Sequence, residues 1–416
     1  MKEKTESQAV AGQTAQLTER HYWVVFGFVT LLFMLWGIAI TMGDVLNKHF
    51  QNVLGVSKAE SGLVQFSIFG AYAVMGIPAG LFMKRFGYKK GVLLGLTLYA
   101  IGAFLFVPAA AAESFGFFRI SLFVLACGLA TLETVAHPFV AALGRQESSD
   151  RRINFAQSFN GLGTIIGPLL GSYFILSGNI GEPGSLTSIE FLYIGIGVVI
   201  SLVAVIFSQI RVPALQHEPE ATPVAAAAAS APPKRLFQRR HFKWAIVAQF
   251  FNAAAQGGTW AFFINYGHEK MGFSDETAGY YFALSMVMMT IGRFVGTFLM
   301  RYVTPNRLLA IFAACNIVMC IIVGQSFGWP SFVALLMLNF FFSIMFPTIF
   351  SLGLKDLGAY TQQGSSFIVM GVVGAAVFPF LMGKIADHDI ALAYYLPIIC
   401  YFVIFLFGAK FYKTNP

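Results

Sequence analysis

Glu133 stands where a carboxylate is costly. It occurs in GLATLETVAHPF, residues 128–139, between the runs RISLFVLAC and VAALG, which carry almost no charge. About 13 residues separate it from either end of that segment; at about 1.5 Å per residue it would lie near the middle of a bilayer. An ionised carboxylate at that depth costs at least roughly 2.5–3.5 kcal/mol, so such groups face a cavity or a partner. His137 follows one turn later, with Pro138 beside it. Two chemistries fit. One is a carboxyl that takes up and returns a proton, with an imidazole that relays or orients it. The other is a structural pair of Glu133 and His137 at i+4 on one helix face. A purely structural ion pair at midplane brings little net stability, which favours the first.

Asp44 is the second carboxylate of this kind. It ends the apolar run TLLFMLWGIAITMGD, and from position alone it is either functional or seated at the outer interface. Amides add to the set. Asn154, Gln157, Asn160 and Thr164, followed by Gly167 and Gly171, recur at helical spacing and form a polar, narrow face. That face suits either a cavity or a close helix contact. Gln157 and Asn160 carry both donors and acceptors, the character that hydroxyl-rich ligands require, although interhelical hydrogen bonds are the plainer use. Asn252, Gln256 and Trp260 follow one another at four-residue intervals. Trp260 offers a flat apolar face for the C–H side of a pyranose while the amides hold its hydroxyls. Trp36 lies mid-span, in the core or on a cavity wall, and Arg293 suits a gate or an interdomain contact.

These residues need helices to hold them. The chain has 416 residues, is 57% hydrophobic and only 11% charged, with 45 Phe and 41 Gly. Soluble domains carry about 25% charged residues, so a membrane protein is expected. Apolar segments of spanning length lie near 22–46, 60–83, 89–110, 116–143, 153–177, 189–210, 242–266, 276–301, 306–326, 329–354, 364–386 and 390–412. They lack the alternation of barrel strands, so the fold class is all-α: twelve transmembrane helices. Lys and Arg concentrate in alternate connections, including Lys84, Arg85, Lys89 and Lys90, then Arg145 and Arg151, then Arg239 and Arg240. The positive-inside rule makes both termini cytoplasmic. The net charge of +8 is thus a topology signal, and no nucleic-acid partner is expected. Residues 1–21 read as a tail without a cleaved signal peptide, 22–210 and 242–412 as two six-helix bundles, 211–241 as a Pro- and Ala-rich linker, and 413–416 as a tail. The four cysteines lack metal-ligand spacing, and no metal site is expected.

The halves echo each other. GLFMKRFGYKKG (80–91) aligns with GTFLMRYVTPNR (296–307), and HPFVAALG with FPTIFSLG, as in a parallel repeat with a central site between the halves. At this point the chain resembles the major facilitator superfamily, although Lys84 stands where its loop motif normally has an acidic residue. More specifically it resembles the bacterial fucose:proton symporter family. The matching stretches are GDVLNKHFQ, GIPAGLFMKRFGYKKG, LETVAHPFV, NFAQSFNGLG, QGGTWAFFINY, GRFVGTFL and FPTIFSLGLKDLG followed by GSSFIVMG. That resemblance implies a multi-pass protein of the bacterial inner membrane and a proton-coupled importer of a hexose or deoxyhexose, working by alternating access. It implies proton coupling at Asp44 and Glu133, with Asp44 the carrier and Glu133 also binding sugar beside Gln157, Asn160, Asn252, Gln256 and Trp260. His137, where the family tends to carry Asn, and Trp36 are further candidates.

No Walker-type phosphate loop is present, so the proton gradient, and no cofactor, is the expected energy source. A monomer in the lipid bilayer is expected. A passive facilitator or a proton-driven exporter on the same fold stays open, and a sensor less so, because no signalling domain accompanies the spans. GIAITMGD replaces the amide-rich approach to the Asp associated with fucose transporters, so the sugar itself stays open.

Overall fold

The computed structural model of the chain describes residues 17–145, 148–177, 186–212, 236–357 and 360–414. All regular structure among them is helical. In lipid every backbone N–H and C=O must be satisfied within its own segment, and helices do this. The first half holds α1 (Trp23–Leu54), α2 (Leu63–Phe104), α3 (Phe115–Ala142), α4 (Ser149–Gly171) and α5 (Thr187–Gln209). The second holds α6 (Arg240–Ala261), α7 (Phe263–Met271), α8 (Asp275–Leu299), α9 (Pro305–Gln325), α10 (Trp329–Phe342), α11 (Met345–Leu354), α12 (Thr361–Met370), α13 (Gly374–Ala386) and α14 (Pro397–Leu406). Most of the expected tail 1–21 and linker 211–241 lies outside the described residues.

Ten stretches are long and apolar enough to cross a membrane, against twelve expected. Two local features account for the difference. The expected spans 60–83 and 89–110 fall in one run that breaks at Gly87, whose φ of 82° and ψ of 169° leave the helix. Glycine alone tolerates that backbone freely. The expected span 242–266 is interrupted at Phe262, where α6 gives way to α7, and it is too polar to be counted among the ten. Three other expected spans are also segmented: α10 and α11 part at Ser343 and Ile344, α12 reaches α13 through a 3-10 turn, Gly371–Val373, and a short helix Ile390–Ala393 precedes α14.

Each half builds its own core, one around Phe26, Phe50, Leu96 and Phe139, the other around Phe242, Tyr266, Leu335 and Tyr401. In the first half, α1 lies directly on α4. A Cβ on Gly163 would stand 2.2 Å from the Met34 carbonyl oxygen, and one on Gly37 2.4 Å from that of Asn160. The narrow face of span 5 is therefore a helix contact in its small residues, as small-residue interfaces in membranes are. The halves meet where α4 packs on α8 and α2 on α13.

Candidate functional site

Between the halves lies a cavity of about 2940 Å³. Its mouth carries Lys84, Arg85 and Lys89 of the first basic connection and Arg301 of its counterpart. Deeper, the first half contributes Trp36, Tyr72, Glu133, His137, Gln157 and Asn160, and the second Gln256, Trp260 and Met289. The cavity thus opens at the end that bears the basic loops.

The opposite end is shut by contacts between the halves. Asn47 Nδ2 donates to the Ala261 carbonyl oxygen at 2.6 Å, and Asn265 Nδ2 to Gln51 Oε1 at 2.6 Å. Ala261 ends α6, so its carbonyl lacks a helical partner and accepts this bond from the other half instead. Asn52 donates to Asp275 at 2.6 Å, and Lys48 approaches the same carboxylate at 3.7 Å. Lys58 pairs with Glu269 at 2.9 Å, and its backbone N–H donates to Asp387 at 2.7 Å. Beside them Lys270 pairs with Asp389 at 2.9 Å and holds that carboxyl below the usual carboxylate range.

Glu133 projects from the middle of α3 into the cavity wall, within hydrogen-bonding reach of the Tyr72 hydroxyl. Trp36 Nε1 donates to that same hydroxyl. A chain therefore runs from α1 through α2 to the carboxylate on α3. His137 does not pair with the Glu133 carboxylate, contrary to the structural alternative. Its Nδ1 lies 2.9 Å from the Glu133 backbone oxygen, its Nε2 lies 2.8 Å from Gln157 Nε2, and its ring stands edge-on to Phe33. Asn160 does both things its type allows: it reaches the cavity and donates to the Phe33 carbonyl oxygen at 3.2 Å, tying α4 to α1.

Asp44 sits elsewhere. Because α1 continues to Leu54, Asp44 lies inside the helix and not at its end, and it is 3% exposed. It does not line the cavity; Gln65 Nε2 donates to its Oδ1 at 2.6 Å. Asn47, a closing residue of the shut end, stands one turn further along the same helix.

The expected stripe on span 7 divides. Gln256 and Trp260 line the cavity, and Trp260 Nε1 donates to Asn339 Oδ1 at 2.7 Å. Asn339 is fixed in turn by its bond to Ser285. Asn252 is fully buried outside the cavity wall, and both of its amide atoms lack partners. Four-residue steps advance about 40° beyond a full turn, so Asn252 is rotated about 80° from Trp260.

Sequence reasoning missed Tyr72, Gln65 and the Asn339–Ser285 support. Each is a polar residue in an apolar run, and its partner is visible only in three dimensions. Among the described residues no three His, Cys, Asp or Glu side chains converge as a metal ion requires.

The sequence model of the Major Facilitator Superfamily matches residues 24–379. The L-fucose-proton symporter of Escherichia coli is 37% identical over 94% of this chain and 93% of its own length. The glucose/galactose transporter of Brucella abortus is 33% identical over 95% of this chain and 96% of its own. Among solved structures, a Major Facilitator Superfamily transporter in the outward conformation aligns with a TM-score of 0.69 and 34% identity, over 95% of this chain and all of that one. The D-xylose-proton symporter aligns with a TM-score of 0.79 at 14% identity, over 95% of this chain and 100% of that one, a likeness of fold.

Proposed function

We propose that this chain, which belongs to the Major Facilitator Superfamily, is a proton-coupled importer of a monosaccharide in the bacterial cytoplasmic membrane. The observation that carries the reading is Glu133. It faces the cavity between the halves beside a phenol, and among the described residues no cation stands within ion-pair distance of it. A carboxyl without a fixed counter-charge, in a chamber open to one side, can be neutralised by a proton and released again as the chamber changes sides. The symporter relatives support the same reading.

With the basic loops cytoplasmic, the structure is open inward and shut outward. Sugar and proton enter from outside when the shut end parts, the halves rock, and both leave through the basic mouth. Asp44 and Glu133 divide the proton work. Asp44, sealed beside Gln65 and one turn from the closing Asn47, is charged or neutralised only when the outer end opens. Glu133 exchanges its proton with the inner chamber. Gln157, Asn160, Gln256 and the Trp260 face hold the sugar, with Trp36 acting through Tyr72. One chain supplies both half-sites, so a monomer suffices.

The test is uptake of hexoses and deoxyhexoses by proteoliposomes. Uptake should rise with an imposed inward proton gradient, and Asp44→Asn should lose that rise. Uptake indifferent to the gradient would leave the passive facilitator.

A further inference from the structure

His137 is the histidine that reaches the cavity, and its ring is held at both nitrogens. A backbone carbonyl oxygen only accepts, so the nitrogen facing Glu133 O, Nδ1, carries hydrogen. In the neutral ring Nε2 then has a lone pair and accepts from Gln157 Nε2 at 2.8 Å. Gln157 lines the cavity and makes no other hydrogen bond among the described residues. Its amide nitrogen is thus committed to the ring, and its Oε1 is left for the ligand.

We propose that His137 is a specificity-determining positioning residue: its ring sets whether the Gln157 amide offers oxygen or nitrogen to the sugar, and its charge reverses the choice. The inference rests on the sugar reading above. With the ring neutral, Oε1 faces the sugar and selects a hydroxyl that donates. A hydronium ion from the cavity water can transfer its proton to Nε2; an N–H bond forms, an O–H bond breaks and water departs. Nε2–H can then only donate. The amide must turn half-way about its last torsion, a soft rotation, so that Oε1 accepts from the ring and the NH2 group faces the sugar. The ring itself stays in place, because the Nδ1 bond and the Phe33 ring packed against it hold it in both states.

Several groups influence the ring. Glu133 lies one turn up its own helix. Arg152 of α4 binds the Val140 and Ala141 carbonyls one turn below. Tyr72 and Lys84 of α2, and Arg293 of α8 across the cavity, line the same chamber. From α1 the ring meets only Phe33, which does not titrate. The test is a ratio between two sugars, and because Glu133 can itself contact the sugar, a variant that keeps Glu133 and removes only the ring separates the two.

Counterflow in proteoliposomes, with equal pH on both sides, compares a transported hexose with its deoxyfluoro analogues. Fluorine replaces one hydroxyl at a time and cannot donate. At about pH 8 one analogue should be disfavoured about five- to tenfold in KM. At about pH 5, across the range in which imidazole changes charge, that penalty should fall below about twofold. In His137→Asn, neutral throughout, the ratio should not move with pH. A wild-type ratio that is the same at both pH values overturns the proposal without reference to any variant, and so does a pH-dependent ratio that survives in His137→Asn. If no parent hexose shows counterflow, the sugar reading fails and this inference with it.

Discussion

At the scale of single residues, the site is a set of polar groups whose partners decide their roles. Asp44 keeps its place through the 2.6 Å bond from Gln65. Gln65→Leu should strip a buried carboxyl of its donor, at a cost of about 1–3 kcal/mol. That cost would read as a lower melting temperature together with a shifted pH profile of uptake; an unchanged profile would reduce Gln65 to a packing role. Glu133, His137 and Gln157 are legible in the sequence because a polar side chain in an apolar run is conspicuous and helical spacing gives its face. Asp44 is legible as a residue but not in its place, since the hydropathy signal fades before α1 ends. Asn252 leaves the cavity wall because a four-residue repeat winds around its helix and does not form a straight stripe. Tyr72 and Gln65 give the same kind of signal as Glu133, only weaker, because a phenol or an amide in lipid is less costly than a charge.

At the scale of elements, close approach fixes the first half and a broken helix serves the gate. Gly163→Leu would drive a side chain into the Met34 carbonyl, 2.2 Å from where its Cβ must stand. α1 and α4 would have to separate, and size-exclusion profiles should lose the monodisperse peak. Asn47→Ala removes the donor that satisfies the orphan Ala261 carbonyl across the shut end. Spin labels on the outer ends of the two halves should then report a longer distance than in wild type. The peripheral ion pairs matter less. Lys270 holds the Asp389 carboxyl below its usual range, so this pair is stabilising above about pH 4 and fades as the pH falls through the lowered value. Asp389 is 38% exposed, and such a pair contributes under about 1 kcal/mol. Asp389→Asn should therefore move the melting temperature by less than about 2 °C. Spanning helices are legible from hydropathy, but the break at Phe262 is not, because neither glycine nor proline stands at it. The break at Ser343 does have a signal in Pro347, four residues on, which cannot donate back to the Ser343 carbonyl.

At the scale of the whole molecule, the two halves are closed at one end by hydrogen bonds and open at the other onto a basic mouth. On the reading proposed above, this arrangement turns an intramembrane carboxylate from a liability into a coupling device. The internal repeat by itself points to a central chamber, since two similar halves related by symmetry leave their shared site between them. It does not indicate which end is open, which depends on contacts as small as those of Asn47, Gln51 and Lys58. The most direct measurement is sugar accumulation in proteoliposomes under an imposed inward proton gradient, in wild type and Glu133→Gln, with counterflow followed in the same preparations. Wild type should accumulate sugar, and Glu133→Gln should lose accumulation by about tenfold or more, about 1.4 kcal/mol, while still exchanging sugar. Accumulation by Glu133→Gln equal to wild type would contradict the coupling role given to this carboxylate.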